Sequence, residues 1–223
     1  HSVADALETL RAFRTAWRAR ATKLVVGKQS VIRYCTEGEV RRIYGRPERF
    51  SAPPDNRILS GYVPITCDFK ASTALTFSDV QHSTTLNFVV SSSGGLVFPT
   101  TFPASPLPDG QREGSIVVGG NTATYPIVKF VGPITNPWVQ WNGTKRQFNV
   151  TIPSGHSLTM DTRPWKRTIM YDDQYSRPGA LGRRQYMADM TLEPGGHEVI
   201  FGGNSSEGTA QCIFSWRDAY EGF

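Results

Sequence analysis

The sequence predicts a mostly β protein: an α+β N-terminal domain with one helix, then a C-terminal β-sandwich of jelly-roll type. Three observations carry this. Gly (21) and Pro (15) make up 36 of 223 residues, about 16% against a usual ~12%, and both residues break helices and favour turns. One stretch alone, at the N-terminus, has apolar residues at helical spacing. Beyond it, short β-rich runs recur between Gly, Pro and Asn turns. The hydrophobic share of 39% and charged share of 19% belong to a globular chain with a core.

The helix is expected over residues 3–20. Val3, Leu7, Leu10, Phe13 and Trp17 follow at spacings of 4, 3, 3 and 4, which puts all five on one face. Arg11, Arg14 and Arg18 lie off that stripe. Asp5 and Glu8 stand near the N-terminus and arginines near the C-terminus, as the helix dipole favours. Such a helix is expected to lie on a sheet through its five apolar residues.

Strands are expected from residue 23 onward. Lys23–Val26 runs into Gly27, and Ser30–Cys35 pairs back through a turn with Val40–Tyr44. Gly45-Arg46-Pro47 is expected to stop that second strand, because proline cannot donate to a ladder. Ile58–Phe69 reads as a long edge strand that tolerates Pro64, and Leu75–Phe77 and Thr84–Val90 continue the β pattern. Four prolines between Pro99 and Pro108 then mark a stiff linker. The expected domains are therefore 1–106 and 107–223. In the second, strands are expected at Ser115–Val118, Ile127–Val131, Trp138–Trp141, Gln147–Ile152, Leu158–Asp161, Thr168–Tyr171, Glu198–Phe201 and Ala210–Trp216. Asn142-Gly143 is a strong hairpin signal.

The net charge of +5 is unevenly placed. Residues 1–50 hold 11 Lys/Arg against 5 Asp/Glu, and the remaining 173 residues are nearly balanced. This argues against a general nucleic-acid binder. Arg41, Arg42, Arg46 and Arg49 are instead candidate interface residues between subunits, since the planar guanidinium pairs well with carboxylates. No apolar run reaches membrane-span length, and the opening residues carry no apolar signal-peptide core. Cys35, Cys67 and Cys212 have no paired spacing and are expected as buried free thiols. The four histidines form no metal motif, and neither a nucleophile elbow nor a phosphate-binding loop is present. No catalytic residue, metal or cofactor is expected. Asp172-Asp173 reads as a polar turn. Trp138, Trp141 and Trp165 are candidate glycan-stacking residues, although Trp138 and Trp141, three apart, face opposite ways on one strand, so at most one joins a given platform and core packing is the stronger reading.

Several stretches resemble the distal tail proteins, or minor tail proteins, of long-tailed non-contractile bacteriophages, especially those of actinobacterial hosts. The resemblance lies in Arg42–Arg49, Gly95–Pro103, Ile127–Pro137, Leu158–Arg163, Leu192–Phe201 and Ala210–Tyr220. It spans most of the chain from about residue 40, and it departs at His197, where such proteins often carry Asn. The resemblance implies an N-terminal ring-forming domain, typically hexameric, at the end of the tail tube, and a peripheral galectin-like C-terminal sandwich. It implies a structural virion protein of the tail tip, assembled in the host cytoplasm. Its implied partners are further copies of itself, the tail tube protein, the tape-measure protein and tail-tip or receptor-binding proteins. The alternative is a carbohydrate-binding module that contacts a bacterial surface glycan.

Overall fold

The computed structural model describes residues 3–36, 38–53, 55–88, 112–205 and 207–222. They form two compact units, His1–Asp79 with Tyr220–Phe223, and Val80–Ala219. The second unit is thus inserted within the chain of the first.

The first unit opens with helix α1 (Val3–Arg18). It ends where Ala19 turns left-handed at φ 42°, and a short α2 (Arg20–Lys23) follows. Four strands come next: β1 (Ser30–Thr36), β2 (Glu39–Ser51), β3 (Thr66–Ala71) and β4 (Thr76–Ser78). β2 is the spine. β1 pairs along its first half, and β4 and then β3 pair elsewhere along it, all antiparallel. The closing strand Ala219–Tyr220 lies beside β4. Gly45 sits where β1, β2 and β3 meet, and a Cβ there would run into the backbone of Lys70 and Ala71.

Three local expectations change here. Lys23–Val26 is not a strand but a helical turn and bend that exposes its apolar side chains. Pro47 does not stop β2; the register shifts between Pro47 and Phe50, and this bulge absorbs the missing donor. Ile58–Phe69 is not one strand. Asp55 caps a 3₁₀ turn, Asn56–Ser60, by accepting from the Arg57 N–H, and pairing begins only at Thr66.

The second unit is a β-sandwich. One antiparallel sheet has the order β10–β8–β14–β6 with β9 beside β8, where β6 is Arg112–Val118, β8 Ile134–Trp141, β9 Thr144–Gln147, β10 Thr151–Ile152 and β14 Gly195–Asn204. The other has the order β13–β12–β11–β7–β15–β5, where β5 is His82–Asn87, β7 Ile127–Val131, β11 Ser157–Asp161, β12 Thr168–Tyr171, β13 Tyr175–Ser176 and β15 Gln211–Trp216. Alternating side chains of both sheets fill one core. Phe130 meets Phe148 at 5.1 Å and Phe201 at 5.9 Å, and Trp141 meets Phe214 at 5.4 Å between ring centres.

The expected boundary at 106/107 is not where the units divide. β5 precedes the proline-rich stretch, yet it pairs along all of β15, and Leu86 and Phe88 belong to the same core as Ile116 and Val118. Prolines announce unpaired backbone, not the partners of the strands on either side. The stretch itself, and Leu96–Phe98 before it, lie outside the described residues.

Two type I′-like turns confirm their sequence signals. Asn142 and Gly143 take φ of 50° and 69° between β8 and β9. Asp172 and Asp173 take 50° and 55° between β12 and β13, with Gln174 N–H donating to the Tyr171 carbonyl. Cys212 is buried, and burial pushes its thiol up, but Cys67 is half-buried and Cys35 exposed. An odd position on an edge strand exposed Cys35, against expectation.

Asp161 is almost fully buried at the end of β11. Burial alone would raise its pKa. The Arg163 guanidinium, at 2.8 Å and 2.5 Å, and Lys166 at 3.2 Å outweigh this and hold it below the usual carboxylate range.

Leu158→Ala should cost ~2–5 kcal/mol in denaturant unfolding of the second unit, because the side chain is fully buried. Leu59→Ala, 76% exposed in the first unit, should change stability by less than ~0.5 kcal/mol. Asp161 has a folded-state pKa below its unfolded one. Its stabilisation is therefore present above about pH 4 and lost as pH falls through the folded value. Thermal melts of Asp161→Asn across that range should show a flatter pH dependence than those of the parent chain.

Candidate functional site

The two units bury their apolar side chains very unequally. Among the described residues, the first unit has Tyr44 and Phe77 as buried hydrophobics, while the second has the whole remaining core. The large exposed hydrophobics are distributed the other way. Phe13, Leu24, Val25, Val26, Val31, Val40, Leu59, Tyr62 and Ile65 lie in the first unit, against Val80, Val117, Tyr175 and Tyr186 in the longer second unit. Water-facing apolar surface at this density marks an interaction surface.

Helix α1 shows why. Its stripe does face the β2–β3 layer: Phe13 lies 6.0 Å from Phe50, Trp17 lies 6.3 Å from Phe69, and Trp17 Nε1 donates to the Arg49 carbonyl at 3.1 Å. Yet no residue of α1 is buried, and Phe13 remains 41% exposed. The expected packing is therefore shallow. A single helix over a narrow sheet covers one side of the stripe only, and grooves remain along it. One, of about 320 Å³, runs between the N-terminal half of α1 and the segment after the 3₁₀ turn, lined by Asp5, Ala6, Leu10, Val63 and Ile65.

After α2 the chain makes a turn whose side chains have little cover. Leu24 is 84% exposed and Val26 98%. Gly27, at φ 76°, supplies the left-handed residue that ends the turn. Arg46 Nη2 donates to the carbonyls of Val25 at 3.1 Å and Lys28 at 3.4 Å, which braces the backbone.

The four candidate arginines thus have different places. Arg42 is buried: Nε donates to Asp79 Oδ1 at 2.9 Å, Nη2 donates to the same carboxylate and to the Asp79 carbonyl, and Nη1 reaches Tyr44 Oη at 3.4 Å. The hydrogen bond from Arg42 holds the Asp79 carboxyl below the usual carboxylate range, and Arg33 adds a further pair at 2.9 Å. Arg41 lies over the Tyr220 ring at 4.0 Å with Glu39 at 3.5 Å. Arg46 braces the turn. Arg49 is exposed. As a set they do not form one outward patch, because alternate residues on a strand face opposite sides and three of the four are used inside the unit. Exposed Arg11, Arg14, Arg18, Arg20, Lys23 and Lys28 supply the outward positive charge.

The tryptophans are not brought together. Trp141 has no exposed surface, and its indole N–H donates to the Thr191 carbonyl at 2.9 Å, so it belongs to the core and cannot stack on a glycan. Trp138 is half-buried on the other face of β8. A Cβ on Gly202 would meet its indole, and Lys145 Nζ sits 3.9 Å from its ring centre. Trp165, also half-buried, lies in the loop after β11 of the opposite sheet, with the Arg163 guanidinium 5.8 Å from its ring. The two aspartates of the Tyr171–Tyr175 turn diverge. Asp172 bonds His156 Nδ1 at 2.7 Å, and Asp173 bonds Lys129 at 3.0 Å. His197, where the resemblance departs, places Nε2 2.6 Å from the Glu193 carbonyl and so closes its own turn.

Sequence reasoning missed Asp79 and the Leu24–Val26 turn. Nothing local to Asp79 signals that it pairs with residues 37 and 46 positions earlier. The turn had one signal, Gly27 directly after an apolar run, which also suits the end of a helical stretch.

No protein-family model matches the sequence, and no curated protein matches it. Among solved structures, the chain is similar to a chain in the phage P2 baseplate in its activated conformation with Ca. The TM-score is 0.52 at 11% identity, over 98% of this chain and 75% of that one. A chain in the phage p2 baseplate in its activated conformation with Sr aligns with a TM-score of 0.49 at 11% identity, over 96% and 75%. At such identity the first likeness concerns the fold: a small α+β unit and a β-sandwich in one chain.

Arg42→Met should destabilise the first unit, because it strips the Asp79 carboxylate of its closest partner. Arg49→Glu should leave the unfolding midpoint within ~0.5 kcal/mol of the parent. Denaturant titration in a background where the other four tryptophans are replaced by Phe, followed by Trp17 fluorescence, checks both.

Proposed function

We propose that this chain is a structural subunit of a phage tail tip. In this reading several copies, six by the resemblance above, close into a ring through the first unit. The ring joins the tail tube to the tip and supports host attachment. Its partners are the tail tube protein, the tape-measure protein and the tail-tip or receptor-binding proteins. The protein resides in the virion after assembly in the bacterial cytoplasm, and its role is mechanical, with no reaction to catalyse.

The observation that carries this reading is a fold likeness running through both units to a chain of a phage baseplate. The physical chemistry of the first unit supports it independently. Covering an exposed Leu or Val contributes roughly 1.5–3 kcal/mol per side chain, and this unit leaves several of them in water. β1 is also an outer strand, pairing with β2 alone among the described strands. A closed ring repeats one interface around its axis, so it covers such a surface on every copy with no free end. Small contributions from exposed arginines, ~0–1 kcal/mol each, are multiplied by the repetition.

Native mass spectrometry and negative-stain electron microscopy of the purified chain should show a closed oligomer. The second unit alone, residues 80–219, should remain monomeric. A stable ring formed by residues 80–219 alone would count against the reading.

A further inference from the structure

We infer that the subunits join head to tail along α1, with the Leu24–Val26 turn of one copy seated in the groove beside the N-terminal half of α1 in the next copy. This rests on the ring reading and names the two surfaces that would make it.

The projecting half is a braced apolar turn. Leu24, Val25 and Val26 are 84%, 48% and 98% exposed, yet their backbone is held by Arg46 and by turn hydrogen bonds from Leu24 N–H to Arg20 O and from Lys28 N–H to Val25 O. An apolar group on a braced backbone loses less conformational entropy when it docks than one on a loose loop. The receiving half is concave and mainly aliphatic, with Ala6, Leu10, Val63 and Ile65 in its walls.

Charge selects a second copy as the occupant. The turn is flanked by Arg20, Lys23 and Lys28, all exposed. The groove has Asp5 in its wall, and Glu8, one turn further along the helix, is exposed. A basic apolar knob and an acid-rimmed apolar groove are complementary in both respects. They also stand at opposite ends of a 16-residue helix, about 24 Å long, and Arg46 ties the turn to its own end. A chain therefore cannot fill its own groove, whereas a neighbour can. Such a contact is heterologous: each copy offers one knob and one groove, and a chain of contacts closes when the rotation per copy divides the circle.

The test uses the full chain in two forms. The first is Leu24→Asp with Val26→Asp, which places carboxylates on exposed side chains and leaves the fold undisturbed, as circular dichroism would check. The second mixes chains bearing Val26→Cys with chains bearing Ile65→Cys, both in a Cys35→Ser, Cys67→Ser background, under mild oxidation. The expected results are a weakening of assembly of about tenfold or more in sedimentation and disulfide-linked dimers that appear only in the mixture. If the doubly substituted chain keeps the oligomer mass and no mixed dimer forms, the knob-and-groove contact is wrong and the ring is built on another surface. If the unsubstituted chain stays monomeric up to its solubility limit and no mixed dimer forms, the ring reading falls and this inference falls with it.

Discussion

Water has to be excluded from the inner faces of both sheets at once before either is stable, and that constraint governs how this chain is divided. In the second unit Phe130, Phe148, Phe201 and Phe214 interlock between sheets whose strands come from distant parts of the sequence. β5 is part of this because its Leu86 faces the core, even though the proline-rich stretch separates it from the next strand. The unit meets its burial requirement within one chain. The first unit, with α1 as a partial cover and two buried hydrophobics among its described residues, does not.

Electrostatics follows the same division. In the second unit, buried charge is held locally: Asp161 pairs with Arg163 and Lys166, and Arg146 donates to carbonyls of its own hairpin at 2.6 Å and 2.9 Å. In the first unit one ionic cluster, Arg33 and Arg42 on Asp79, ties β1 and β2 to the end of β4. Arg11, Arg14, Arg18, Arg20, Lys23 and Lys28 stay in water around α1 and the turn after it. Exposed cations beside exposed aliphatics resist nonspecific collapse while leaving a specific acidic partner favourable. The ring subunit proposed for this chain would need both properties, because its interface would have to be soluble before assembly and covered after it.

The fold class was readable because it depends on local pattern. Period-3.6 spacing marked α1, and the Asn142-Gly143 and Asp172-Asp173 turns were visible since their backbone conformations demand those residue types. Thr168–Tyr171 and Ile127–Val131 matched their strands to the residue. The misreadings share a cause. Lys23–Val26 has strand-like composition but no neighbouring strand to pair with, Pro47 survives inside β2 because a bulge takes up its missing donor, and Arg42 looks like any surface arginine until Asp79 arrives beside it.

By itself, then, the sequence determined one amphipathic helix, a β-rich body, its tight turns and a basic first fifty residues, all set by the φ/ψ preferences and spacing of neighbouring residues. Only the tertiary structure decided that β5 joins the sandwich across the prolines, that Trp141 and not Trp138 is the one fully in the core, and that the turn at Leu24–Val26 is left facing water. Those outcomes depend on which distant segments compete for the same apolar surface, and a hydrophobic side chain carries no local mark of whether its partner lies in its own chain.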